Sequence, residues 1–275
     1  MRCLVVADLH YSLPQFDWVL NAAPHFDVVI IAGDALDIGS VVDFRAQIVV
    51  VRKYLQMLAS KARVILCSGN HDLDERDRSG EKISRWIGDV GNLGIARDGD
   101  SLTIGDTFFT VCPWWDGPRI KAQIGVQLEE AAASHRSRWI WVHHAPPANS
   151  PTSWAGSRFQ GDIELVQWIE IYRPDIVLSG HVHQSPFTKD GSWYDRIGAT
   201  WVFNAGHQFG SLPAFIALDL DAGRAFWLSA AGEQSIDLGA PLQRPATDIG
   251  EFPAWLIAAG QAGDPSPATL SSPAG

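Results

Sequence analysis

The sequence predicts an α/β protein with a core of buried, largely parallel strands. Two observations predict it. Five short apolar runs rich in β-branched residues each stop abruptly at polar residues, and segments with helical periodicity fall between several of them. Runs of this kind suit strands covered on both faces, and alternation with helices suits a parallel sheet. A third observation sets the scale: 275 residues, 46% of them hydrophobic, suffice for one large single-core domain or two small ones.

Taken in order, Arg2 to Ala7 runs into Asp8 and His10, and Asp27 to Ala32 runs into Gly33, Asp34 and Asp37. Phe44, Ile48, Val51, Leu55 and Leu58 recur at steps of four and three, one face of a helix. Arg63 to Ser68 runs into Gly69, Asn70, His71 and Asp72. Ser101 to Ile104 and Thr107 to Cys112, separated by Gly105 and Asp106, predict a β-hairpin. Ile120 to Ala133 predicts a second helix. Arg138 to Val142 then runs into His143 and His144, and Ile163 to Ile171 predicts a third helix that stops before Pro174. Asp175 to Ser179 runs into Gly180, His181 and His183. Beyond that, Ser192–Asp195, Thr200–Phe203, Ala214–Leu220 and Arg224–Leu228 read as short antiparallel strands of a second, mixed sheet packed on the first.

Composition narrows the function. Net charge is −10, so a protein that clamps long nucleic acid through phosphate contacts is disfavoured. A small phosphorylated substrate stays open, because bound metals would supply local positive charge. Cys3, Cys67 and Cys112 are too few and too widely spaced for a disulfide framework or a CxxC zinc site, and Cys3 and Cys67 read as small buried hydrophobes. No stretch approaches the ~20 apolar residues of a membrane span, and the opening apolar run is too short for a signal-peptide core. The expected setting is the cytoplasm.

The chemistry sits at the strand ends, where ligands bind in open α/β sheets. Asp8 and Asp34 end two buried runs with no Lys or Arg close by in sequence. On neighbouring strands, the two carboxylates would converge in a partly desolvated place, which is costly unless a cation lies between them. The histidines at the other ends make that cation a metal, and mixed carboxylate, imidazole and amide ligands suit Mn, Fe or Zn rather than calcium. Each cluster alone has a bland reading, as a solvated turn or a helix cap. Five in order, each directly after a buried strand, do not.

These residues resemble the calcineurin-like metallophosphoesterase superfamily. Its pattern of D-x-H, G-D-x-x-D, G-N-H-D/E, a strand-end His and G-H-x-H stands complete between residues 8 and 183. The resemblance implies a four-layer α/β/β/α sandwich of two mixed β-sheets flanked by helices. It also implies two divalent metal ions, Mn²⁺ first and Fe, Zn or Ni as alternatives. Asp8, His10 and His183 would hold one ion, and Asn70, the strand-end His and His181 the other, with Asp34 bridging. His144-Ala145-Pro146 fits the family's H-x-P better than His143 does, so His144 is the expected ligand. A hydroxide shared by the two ions would attack phosphorus in line. His71 would contact phosphate oxygens or protonate the leaving group, and Asp37 would orient it, although Asp37 also suits a helix cap. Asp72 suits either a supporting role or a cap.

The resemblance implies a phosphodiesterase or phosphatase acting on a small phosphorylated molecule, with nucleotides among the candidates. A nuclease is the alternative, and a non-catalytic scaffold a more distant one. Trp114 and Trp115 would stack on a base or wall the pocket, or else pack a loop against the core. Arg158 is a candidate phosphate contact or a surface Arg, and His207 is expected to edge the site. Residues 1–250 are expected to form the metallophosphoesterase domain. Residues 251–275, rich in Pro, Ala, Gly and Ser, are expected to form a disordered tail beyond a short helix.

Overall fold

The computed structural model describes residues 1–134, 137–248 and 252–263. The first half runs β1 (Arg2–Val6), α1 (Leu13–Ala22), β2 (Val28–Ala32), α2 (Phe44–Ala59), β3 (Arg63–Cys67), β4 (Glu75–Arg76), β5 (Lys82–Ile83), α3 (Arg85–Val90), β6 (Ala96–Arg97), β7 (Ser101–Ile104) and β8 (Thr107–Val111). The second half runs α4 (Pro118–Ala132), β9 (Arg138–Val142), α5 (Ile163–Tyr172), β10 (Ile176–Ser179), β11 (Tyr194–Ile197), β12 (Thr200–Asn204), β13 (Phe215–Asp219), β14 (Arg224–Ser229), β15 (Gly232–Asp237), β16 (Thr247–Asp248) and α6 (Ala254–Gly263).

Two large sheets result. One has the order β16-β15-β14-β13-β1-β2-β3-β6 and the other β11-β12-β10-β9-β8-β7. Strands have a period of two, so alternate residues face opposite ways. In β1, Cys3 and Val5 face the second sheet, while Leu4 and Val6 face the helices. In β9, Ile140 and Val142 face the first sheet, while Trp139 and Trp141 face α4 and α5. Helices α1, α2, α3 and α6 cover the outside of the first sheet, and α4 and α5 the outside of the second. The layers are therefore helix, sheet, sheet, helix. Both faces of each central strand are covered, which is why the runs are apolar throughout rather than alternating.

The three helices read from periodicity form as α2, α4 and α5, and β7 and β8 pair antiparallel as a hairpin. Helices α1 and α3 lie outside that reading. The strands after His183 differ from expectation in two ways. β12 pairs antiparallel with β11 as expected, but on its other side it runs parallel to β10, Ile176 opposite Trp201. β13 and β14 join the first sheet, with β13 antiparallel to β1, rather than building the second. Sheet membership depends on what each face covers, and a short apolar run does not record that.

The expected tail begins with α6, whose Leu256 and Ala259 are buried in one cluster with Trp18 and Val19 of α1. The short helix thus belongs to the packed body, and residues 251 and 264–275 of the predicted tail lie outside the described residues. Cys3, Cys67 and Cys112 are buried and unpaired. No helix among the described residues is long and apolar enough to cross a membrane.

Candidate metal centre

The parallel register of β1, β2 and β3 brings their carboxyl ends together: Val6 lies opposite Ile31, and Ala32 opposite Cys67. The loops beyond are laced by backbone bonds, Asp8 N–H to Gly33 O at 3.1 Å and His10 N–H to Asp34 O at 3.0 Å. In the other sheet β9 and β10 end side by side, and Gly180 N–H donates to His144 O at 2.9 Å. The five strand ends meet across the sandwich.

Asp8, His10 and His183 offer ligand atoms all within 4.8 Å of one another, and so do Asp34, His144 and His181. His10, Asp34 and His71 make a third such trio that links the other two. Within them, Nε2 of His183 lies 3.3 Å from Asp8 Oδ1, and Nε2 of His10 lies 3.0 Å from Nε2 of His183. Nε2 of His144 lies 3.1 Å from Asp34 Oδ2.

The backbone is strained here. Asp8, His10, Asp34 and His181 have φ of 55°, 44°, 53° and 67°, the left-handed region that non-glycine residues seldom adopt. Strain of this sort persists only where surrounding contacts over-determine it. His181 N–H donates to both Asp8 carboxylate oxygens at 3.0–3.1 Å, and His71 N–H donates to Asp34 Oδ1 at 2.8 Å. Asp72, fully buried, accepts from the N–H groups of Asp34, Leu36 and Gly69 at 2.8–3.0 Å, so it shapes the loop beyond β2. Gly33, at φ 89°, lies flat against the His144 ring; a Cβ there would collide with it. Gly180 is pressed against Ala7 and Asp8 in the same way.

His143 and His144 part by strand parity. Residues 139 and 141 of β9 face the helices and 140 and 142 face the first sheet, so His143 turns outward and His144 inward. His143 Nε2 approaches Asp162 Oδ2 at 3.4 Å, at the N-terminus of α5, where Asp162 Oδ1 caps the helix by accepting from Glu164 and Leu165. His144 instead donates its Nδ1–H to Ala32 O across the sheets at 2.7 Å.

His71 Nδ1 lies 3.3 Å from both Asp37 Oδ1 and the N–H of Ile38. A protonated Nδ1 would donate to Asp37, and a bare one would accept from Ile38. Asp37 is not a helix cap; Asp43 caps α2, accepting from Arg45 and Ala46. The loop carrying Asp37 is tied down by Gln47, buried, whose side-chain amide bonds both Asp37 and Val42. His207 donates Nδ1–H to Asp8 O at 2.6 Å, and its ring sits 4.9 Å from that of His183. Arg158 is exposed on the turn between Trp154 and Phe159. Asp162 borders the site without having been among the residues that the motifs single out; its place before α5 signals a cap, but nothing local signals His143.

Electrostatics divide the histidines. Burial would raise the Asp8 carboxyl, but the hydrogen bond from His183 and the nearby imidazoles outweigh it and hold it well below the usual range. Burial pushes His10 down to about 4, and burial with the charge of His144 pushes His181 down to about 4. Burial would lower His144 too, but the Asp34 carboxylate pushes it up to about 9.

The residues fit divalent metal ions. His144 Nε2 and Asn70 Oδ1 are buried and make no hydrogen bond. Buried polar atoms are rarely left so. Together with two converging carboxylates and several imidazoles whose nitrogens crowd one another, they form, once His144 gives up its Nε2 proton, the mixed N/O donor set of a transition-metal site.

The fold is similar to that of TT1561 of Thermus thermophilus, with a TM-score of 0.56 at 14% identity over 86% of this chain and 98% of that one. It is also similar to the purple acid phosphatase PPD1 from yellow lupin (Lupinus luteus) seeds, with a TM-score of 0.55 at 14% identity over 99% of this chain. This chain spans 57% of the lupin protein. At such identity the likeness is one of fold. No curated protein matches this chain in sequence. The signature of the calcineurin-like phosphoesterases, however, matches residues 1–185, a stretch that contains every strand end of the cluster, and the chain belongs to that family.

Proposed function

We propose that this protein is a two-metal phosphoesterase that hydrolyses a small phosphodiester or phosphomonoester, with Mn²⁺ as the working ion. The observation that carries the reading is the pair of trios, Asp8–His10–His183 and Asp34–His144–His181, drawn from both sheets and joined by the trio of His10, Asp34 and His71. Asp8, His10 and His183 would hold one ion, Asn70, His144 and His181 the other, and Asp34 both. Bound there, the ions would supply Lewis acidity toward the phosphoryl oxygens and activate water near neutral pH.

The chain's own residues do the rest. The N–H groups of His181 and His71 keep the Asp8 and Asp34 carboxylates aimed inward. His71 delivers a proton to the leaving oxygen, a task suited to an imidazole. Asp37, 3.3 Å from His71 Nδ1, orients that ring and steadies its positive charge. Three buried, unpaired cysteines are in keeping with a cytoplasmic setting.

The test is metal analysis of the purified protein, then turnover of bis(p-nitrophenyl) phosphate, p-nitrophenyl phosphate and single-stranded DNA with Mn²⁺. Turnover of either small ester above that of DNA is expected. A preference for DNA would favour a nuclease, and failure on the whole set would favour a scaffold that kept the fold without the chemistry.

A further inference from the structure

Beside His181 the surface sinks into a hollow of about 330 Å³, lined by Trp114, Trp115, Gln160, Asp162, Ile163 and His181 among others. Since His181 is grouped with Asp34 and His144, the hollow opens onto the cluster. Its size is at the low end for ligand cavities, room for one ring system rather than a run of nucleotides.

The two indoles are fixed before any ligand arrives. The backbone N–H of Trp114 donates to Ser68 Oγ at 2.8 Å, and the indole itself is held by packing against the rings of His181 at 5.1 Å and His144 at 5.7 Å. Trp115 Nε1–H donates to Asp162 Oδ2 at 2.9 Å, and the Lys121 ammonium lies 5.5 Å from its ring. Neither indole is lost in the core; both are half-buried. Held surfaces of this kind bind without a large ordering cost.

The lining also says what would bind. Among the described residues no Lys or Arg lines the hollow, so no cationic side chain there would pair with a second phosphate or a carboxylate. The Asp162 carboxylate is already taken by Trp115 and by α5, and Lys121 is paired with Glu164 at 2.9 Å. What remains is flat aromatic wall, an exposed Ile163 and the side-chain amide of Gln160. We propose that this hollow is the subsite for a planar, uncharged ring of the substrate, as in a nucleobase, so that the ester handled at the cluster is a nucleotide ester. The proposal rests on the phosphoesterase reading above.

Two measurements on the full chain test it without relying on turnover, the NMR with diamagnetic Zn²⁺ bound and the calorimetry with Mn²⁺. In saturation-transfer NMR with adenosine, the base protons should receive more saturation than the ribose protons, and Trp114→Leu should abolish the difference while Trp114→Phe keeps it. By calorimetry, the affinity for adenosine monophosphate should exceed that for ribose 5-phosphate by about tenfold, and the ratio should fall toward one in Trp114→Leu. Ile163 is 61% exposed, so Ile163→Cys poses no threat to the fold. Capping that thiol with N-ethylmaleimide should remove the adenosine signal, which guards against a Trp114→Leu protein that misfolds. Equal saturation of base and ribose, an affinity ratio near one in the wild type, or an adenosine signal that survives the cap would overturn the subsite. A wild type that binds adenosine through the base yet hydrolyses no phosphoester would instead sink the phosphoesterase reading.

Discussion

Nε2 of His144, from the second sheet, lies 3.1 Å from Oδ2 of Asp34, from the first. The other ring nitrogen is committed: Ala32 O can only accept, so His144 Nδ1 carries a proton and donates it. Burial opposes a second proton, but the Asp34 carboxylate favours it and pushes the imidazole up to about 9. At pH 7 the metal-free ring therefore carries its extra proton on Nε2, the atom a metal would need. Metal binding should expel that proton. Calorimetric titration of Mn²⁺ in two buffers with different ionisation heats should report release of about one proton or more at pH 7, falling as pH rises through about 9. Heats independent of the buffer would contradict this.

The neighbouring histidines should separate cleanly. His144→Ala removes a donor from the cluster and should reduce bound metal to near one equivalent, with activity largely lost. His143→Ala should leave metal content intact but lower stability by about 1–3 kcal/mol, because Asp162 loses a buried partner. Metal analysis and denaturant unfolding of both variants check it; equal metal loss in the two would refute the assignment.

Gly33→Ala should be more damaging than its size suggests. The residue has φ 89°, and the new Cβ would meet the His144 ring. Either the ring moves off the Ala32 carbonyl or the loop beyond β2 shifts. We expect metal affinity to drop at least about tenfold, by analogy with loss of other groups that orient ligands. Unchanged affinity would mean the His144 ring has room that the packing denies.

His71→Ala should lower kcat about 100- to 10,000-fold, the usual contribution of a positioned acid. Metal content should stay the same. Asp37→Asn should have a smaller effect on kcat, since it acts through His71. If His71→Ala loses metal along with activity, His71 is a ligand, as its place in the trio with His10 and Asp34 would also allow.

A remote carboxyl should govern part of the pH–stability profile. Burial pushes Asp98 up from 3.8 to about 6, although Ser68 N–H donates to it at 2.8 Å. Between those values the folded chain binds more protons than the unfolded one, so stability falls as pH rises from about 4 through 6. Asp98→Asn keeps an acceptor for Ser68 and carries no charge. It should match the wild type at pH 4 and exceed it by about 1–3 kcal/mol at pH 8. A constant difference across that range in denaturant midpoints would rule this out.

Which residues stand at the ends of buried strands is written in the sequence alone, because an apolar β-branched run that stops at Asp, His or Asn is a local feature. Helices α2, α4 and α5 and the β7–β8 hairpin are legible for the same reason. Which sheet each strand joins is settled only in the folded chain. Central strands here are apolar on both faces, so no alternation records which face meets the other sheet. For that reason sequence reasoning misplaces β13 and β14, while β11 and β12 fall in the second sheet as expected. The turning apart of His143 and His144 likewise needs β9 set between α4 and α5 on one side and the first sheet on the other. The left-handed backbone at Asp8, His10, Asp34 and His181 is also invisible in the sequence, since those residue types do not demand it. It exists because amides and carbonyls from distant strand ends hold each turn in place, and that holding is a property of the assembled sandwich.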